Sequence, residues 1–202
     1  MMKFFKAPVL GFCMIAAAAT LNAQRINIIE GDLSPLKGQK NINTEFTYEN
    51  MSVGKFKTEA EYVAKKTEDY NKKEPGKGDQ WAKDWVADRK GNYDRKFNEL
   101  FEKYSDIVVT SANKNAKYTL IYKTTFTEPG YNIYISRKNA ETDAEVWIVE
   151  AANPSKVIAK LEVKNAKGRT FGGNDYASGE RIAECYADAG KALGKFVKNK
   201  IE

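Results

Sequence analysis

Ile42, Thr44, Phe46 and Tyr48 alternate with Asn43, Glu45 and Thr47, which is the period-two pattern of a strand with one buried face. Before it, Ile26, Ile28 and Ile29 followed by Gly31, Pro35 and Gly38 read as an edge strand or extended arm. Thr58-Glu59-Ala60-Glu61 is a capping box: the Thr58 hydroxyl can accept from the Glu61 amide while the Glu61 carboxylate reaches back. A helix to about Asn71 is predicted there, broken by residues 73–78 with Pro75 and Gly76. Asp79 is placed to cap a second, longer helix. On it Trp81, Trp85, Tyr93, Phe97, Leu100, Phe101 and Tyr104 recur at helical spacing, and Gly91 marks a kink or division.

The pattern then returns to strands. Ile107 to Thr110 is short; Tyr118, Leu120, Tyr122, Thr124 and Phe126 form one face of a longer strand. Glu128-Pro129-Gly130-Tyr131 has Pro and Gly where a type II turn needs them, and Tyr131 to Arg137 is expected to return as the hairpin partner. Residues 144–151 are apolar on both faces, which predicts a central strand covered on two sides with Trp147 in the core. After a turn at Asn153-Pro154-Ser155, Val157, Ala159, Leu161 and Val163 alternate with Ile158, Lys160, Glu162 and Lys164. Ser178 is placed to cap a last helix with Ile182, Cys185, Tyr186, Ala189, Leu193, Phe196 and Val197 on one stripe. The fold expected is α+β: a mixed, mostly antiparallel sheet packed by two to three helices, with the C-terminal helix lying across it.

The first 23 residues belong to no such element. Lys3 and Lys6 precede an apolar run from Ala7 to Ala19, too short for a permanent membrane span, and then Thr20, Leu21, Asn22 and Ala23. This is the pattern of a secretory signal peptide cut between Ala23 and Gln24, leaving a single domain at 24–202 in the periplasm or outside the cell. Cys13 is poorly placed for lipidation, because Phe12 stands where a small residue is needed. Cleavage removes two lysines from a formal net charge of +6, leaving +4 spread along the chain, too dilute for a nucleic-acid footprint. It also leaves Cys185 as the one cysteine, so no internal disulfide can form.

The sequence contains no histidine, which removes Ser-His-acid and Cys-His nucleophiles, the usual zinc sites and the commonest general base. Trp81 and Trp85 lie one helical turn apart; their register with Tyr93, Phe97 and Leu100 favours core packing, with a ligand-stacking surface as the alternative. The segment 168–176 leads into the last helix and offers Arg169, Thr170, Gly172, Gly173, Asn174 and Asp175 as a candidate ligand loop, although it matches no nucleotide-binding fingerprint. Glu141, Asp143, Glu145 and Glu150 flank the central strand, where solvated charge is the default. Cys185, on the apolar stripe, reads as a small buried hydrophobe, and the lysines near the end of the same helix complement its dipole. No cofactor or metal is implied.

Three stretches carry a family resemblance: Thr58 to Asn71 (TEAEYVAKKTEDYN), Thr124 to Asn132 (TTFTEPGYN) and Ser178 to Leu193 (SGERIAECYADAGKAL). They resemble secreted Bacteroidetes proteins of unknown function, whose leaders commonly end in Ala-Gln. The terminal strand-and-helix pattern looks like the periplasmic α/β domains of the TolB amino-terminal type, which implies a binding or assembly role. Neither likeness brings catalytic residues. The expected function is a non-enzymatic exported interaction or assembly module, partnered by a protein or an envelope component, without nucleic acid and not integral to the membrane after cleavage. A small-ligand or glycan-binding module is the first alternative, and a histidine-free hydrolase using carboxylates the second.

Overall fold

The computed structural model describes residues 24–111, 113–133, 135–168 and 178–202. The chain is α+β, as its pattern predicts. Its principal sheet contains β1 (Arg25–Gly31), β2 (Asn41–Thr47), β3 (Ser52–Val53), β4 (Val108–Thr110), β5 (Tyr118–Glu128), β8 (Ala140–Glu150) and β9 (Asn153–Gly168). The order is β1-β9-β8-β5-β2-β4, with β3 also paired to β5. The β1/β9, β9/β8 and β8/β5 pairs are antiparallel; β2 runs parallel to both β5 and β4, and β3 runs parallel to β5. The remaining strands, β6 (Tyr131–Ile133) and β7 (Ser136–Lys138), pair only with each other.

One face of this sheet is dry. Ile42, Leu120, Tyr122, Val146, Ile148, Leu161 and Val163 point from it toward α3 (Asp94–Ser105) and α4 (Ser178–Ile201), whose Phe97, Phe101, Ile182, Tyr186, Leu193 and Val197 complete the core. The two helices approach closely. At Gly190 an added Cβ would lie 2.3 Å from the Phe97 carbonyl oxygen, so a bulkier residue there would force the backbones apart.

Beside this core, α1 (Glu59–Lys73) and α2 (Lys77–Asp88) form a helical pair around an aromatic cluster. Tyr62 lies between Phe56, Trp81 and Trp85, and Tyr70 packs edge-on to Trp81. The capping box forms with a shift of one residue: Thr58 accepts from the Glu61 amide at 3.2 Å, while the Glu61 carboxylate accepts from the Lys57 amide at 3.1 Å. Asp79 does not cap α2, which starts two residues earlier. Asn71 of α1 satisfies that end instead, its amide oxygen accepting from the Gly78 amide at 2.7 Å and its NH2 donating to Asp79 at 3.2 Å. The division expected at Gly91 is a π-type turn over Arg89–Tyr93 that links α2 to α3.

Two strand expectations are corrected. Residues 131–137 do not return along β5; the antiparallel neighbour of β5 is β8, in register from Tyr118 opposite Glu150 to Glu128 opposite Glu141. Long-range pairing with β8 satisfies the β5 edge and leaves the intervening segment to pair with itself. Strand β8 is central, but among the described residues no helical layer covers its second face. Trp147 is half-exposed there, with the Lys123 ammonium 3.1 Å and the Lys160 ammonium 5.0 Å from its ring centroid, and its indole N–H donates to Glu145 at 3.1 Å. Lysine stems and cation–π contact shelter the ring in place of a second layer.

Candidate functional site

The candidate site grows from the end of β5, where Pro129 and Gly130 turn the chain out of the sheet. Gly130 has φ +64°, the left-handed value required at the third position of a type II turn, and a Cβ there would lie 2.5 Å from the Lys138 carbonyl oxygen. The turn thus releases β6 and β7 as a two-stranded finger inserted in the β5–β8 connection. The Glu128 carboxylate braces its root, accepting from the Gly130 amide at 3.1 Å and from the Lys138 ammonium at 2.6 Å.

A second brace comes from below. Arg181, in the first turn of α4, is buried; its Nε donates to the Pro129 carbonyl at 3.3 Å and its guanidinium to the Gly130 carbonyl at 3.4 Å. A buried guanidinium needs such acceptors, since desolvation without them would outweigh any packing gain. Arg181 shares its helix stripe with Cys185 and Ala189, four and eight residues on, so the register could have shown it facing inward.

The finger separates two grooves. One, of about 740 Å³, lies between the finger and the Val53–Phe56 turn, with Phe56, Tyr62, Lys55, Lys66, Tyr131 and Lys138 on its walls. The turn is held by reciprocal backbone hydrogen bonds between Val53 and Phe56, at 3.1 and 2.9 Å, and by the Gly54 amide donating to the Thr127 carbonyl at 2.9 Å. The other groove, of about 490 Å³, is walled by Phe126, Glu128, Arg137, Lys138, Glu141 and Lys167. Cations outnumber carboxylates in both.

The finger carries an unusual surface. Ile135 is 88% exposed, Ile133 48% and Tyr131 36%, and these are three of the six large apolar residues exposed among the described residues. Sequence reading missed them by treating the segment as an ordinary strand. The available signal was composition: from Tyr131 to Lys138 the chain reads YNIYISRK, apolar or aromatic at four of its first five positions, basic at the end and without an acid.

The residues expected to act lie elsewhere. Trp81 and Trp85 are 6% and 4% exposed in the aromatic core, where the Trp85 indole N–H and the Arg89 guanidinium both donate to the Glu59 carboxylate. Arg169, Thr170, Gly172, Gly173, Asn174 and Asp175 lie outside the described residues.

The carboxylates along β8 are engaged singly. Asp143 accepts from the Asn165 amide at 2.9 Å and pairs with Lys164 at 3.2 Å; Glu150 pairs with Lys156 at 2.5 Å, and Glu141 with Lys167 at 3.9 Å. Cys185 is buried, its Sγ accepting from the Gly168 amide at 3.0 Å, and burial pushes its thiol above the ordinary range. Among the described residues no cluster of three or more potential metal ligands occurs, and no helix is long and apolar enough to cross a membrane.

A polar network lies between the sheet and the helices. The Tyr48 hydroxyl donates to Asp94 at 2.9 Å under the Arg89 guanidinium, which lies 4.2 Å from the Tyr48 ring centroid. Tyr186 shares a 2.6 Å hydrogen bond with Thr124 and stacks on Tyr93. Burial pushes the pKa of Tyr48, Tyr93, Tyr122 and Tyr186 above the ordinary phenol value, which keeps these phenols neutral. The network is a structural link and opens onto neither of the finger's grooves.

No protein-family model matches the chain, and no curated protein matches it. Among solved structures it is similar to the PelC dodecamer from Paraburkholderia phytofirmans in space group P6, with 11% identity over 82% of this chain and 96% of that one and a TM-score of 0.38. A single-substitution variant of that dodecamer in space group C2 gives 10% identity, coverage of 82% and 97%, and a TM-score of 0.34. Likeness at this level transfers no function.

Proposed function

We propose that this chain is a non-enzymatic exported protein, an interaction or assembly module of the cell envelope or the secreted space, whose working surface is the finger end of the sheet. The observation that carries the reading is the concentration of exposed apolar side chains, Tyr131, Ile133 and Ile135, on β6 and the turn that follows it, against a core that encloses most other large apolar residues described. Such a patch is costly in water and marks a surface meant to be covered. The non-enzymatic half is supported by the lack of histidine in the sequence, the burial of Cys185 and the separate engagement of the β8 carboxylates. Tagged 24–202 should recover a specific envelope component from its native source, and the double variant Ile133→Ser/Ile135→Ser should not. Equal recovery by both proteins would overturn the assignment of the surface.

A second reading rests on the 740 Å³ groove, where the Phe56 and Tyr131 rings stand among Lys55, Lys66 and Lys138. Ring faces beside ammonium groups suit an acidic sugar. Saturable quenching of tryptophan fluorescence by glucuronate-containing oligosaccharides, weakened at least about tenfold in Phe56→Ala, is the expected sign of it. A flat titration with the unmodified protein would remove this reading.

A further inference from the structure

We propose that the β6–β7 finger is a membrane-docking device whose apolar tip enters the headgroup–acyl boundary of an anionic bilayer while the basic residues behind it meet the lipid phosphates. The inference rests on the finger being the working surface, and it names the partner as a lipid surface.

The order of chemistry along the finger matches the order of chemistry into a bilayer. At the outer end, Ile133 pairs with Ser136 and the strongly exposed Ile135 lies in the turn between the strands. One rung back Asn132 faces Arg137, and one further Tyr131 faces Lys138. A rung advances about 3.3 Å, so the cations trail the tip by roughly 3–7 Å, within the 5–10 Å over which an interfacial segment passes from acyl chains to headgroups. Tyr131, with its hydroxyl 3.2 Å from Ser136 Oγ, occupies the intermediate depth where tyrosine is favoured at membrane interfaces.

Shape separates this surface from a protein pocket or a groove for a small ligand. The finger is convex, every residue of β7 is exposed, and Ile135 projects from the tip instead of lining a concavity. Charge points the same way. Lys55, Lys66, Arg137, Lys138 and Lys167 line the two flanking grooves. Among the described residues Glu128 and Glu141 are the carboxylates on those walls, and each is within 4.0 Å of a lysine. The finger end therefore presents excess positive charge behind an apolar point, the arrangement that couples shallow insertion to anionic lipid. Its anchoring also suits the role: Glu128 and the buried Arg181 fix the root in the sheet and in α4, so the tip is held out from a rigid base.

The test is co-sedimentation of 24–202 with phosphatidylglycerol/phosphatidylcholine vesicles and with phosphatidylcholine alone. Binding is expected to the mixed vesicles, weakening as sodium chloride is raised. Ile133→Ser/Ile135→Ser should lower the partition coefficient at least about tenfold, and Arg137→Gln/Lys138→Gln should lower it about fivefold per charge removed and flatten the salt dependence. Matching circular dichroism spectra and melting curves would show that these surface variants keep the fold. A single Ile135→Trp substitution gives a second readout, a blue-shifted emission component on the mixed vesicles. No binding to the mixed vesicles, unchanged binding by the serine variant, or no blue shift overturns the proposal. If vesicles fail but detergent-solubilised envelope still yields a protein that the serine variant does not recover, the lipid surface is wrong and the interaction-module reading stands; if that recovery fails too, both fall.

Discussion

Cys185 is predicted to be chemically silent in the folded protein. Its sulfur is enclosed between α4 and the end of β9, and its raised pKa keeps it protonated at neutral pH. Mature protein should react with a thiol reagent at least about a hundredfold faster in guanidinium than under native conditions, and rapid native labelling would contradict the burial. Asp94 gives a pH-dependent counterpart. Burial raises its carboxyl above the ordinary aspartate value, against the lowering effect of the Tyr48 hydrogen bond, so the fold favours the neutral acid. Its contribution to stability is complete below the unfolded pKa of about 3.9 and is lost as pH rises through the folded value. Asp94→Asn keeps an acceptor for Tyr48 without the charge. Its melting temperature at neutral pH should equal or exceed that of the unmodified protein, with the advantage shrinking in acid. Residues of this kind were unequally legible. The stripe of α4 disclosed that Cys185 is buried, because helical spacing fixes a face. Trp147 was misread, because alternation says which residues share a face and not whether that face is covered; its lysine shelter comes from β5 and β9, at positions no local pattern connects.

At the scale of elements, the helices were read well where their signals are local. The Thr58 cap, the interruption near Gly91 and the amphipathic α4 all follow from residues within a few positions of one another. The start of α2 was misplaced because its cap comes from Asn71 on the preceding helix, across a break that sequence spacing does not bridge. Packing between α3 and α4 gives the sharpest stability prediction. Gly190→Ala places a methyl against the Phe97 carbonyl and should cost about 2 kcal/mol in urea unfolding with little change in the slope. In the α1–α2 pair, Trp81→Ala removes a ring in contact with Tyr62, Tyr70 and Trp85 and should cost about 3–5 kcal/mol. A near-zero change at Trp81 would mean that this cluster contributes nothing to the fold. The finger was the poorest reading at this scale: its turn was recognised, yet the choice between β5 and β7 as the partner of β6 depends on where β8 lies, and that is decided over a long sequence separation.

At the scale of the whole molecule, composition and pattern were enough for the class: a mixed sheet with one helical face and a C-terminal helix across it. Strand order was not readable, since alternation specifies faces and leaves neighbours open. The proposed address has a direct test. Full-length protein made in a bacterial host should be recovered from the periplasm or medium as a chain beginning at Gln24, shown by intact mass; recovery only of the uncut chain from the cytoplasm would exclude it. The topology bears on that route through time. Strand β1 lies against β9, Arg25 opposite Lys164, so the first strand to be made waits for the last before it has a partner. The β1 edge of the sheet cannot form until β9 has been made, and a pairing across so much of the chain is of the kind that slows folding. On the proposed route of export, a chain wired in this order keeps one edge of its sheet unpaired until β9 emerges, so completion of the sheet belongs to the far side of the membrane.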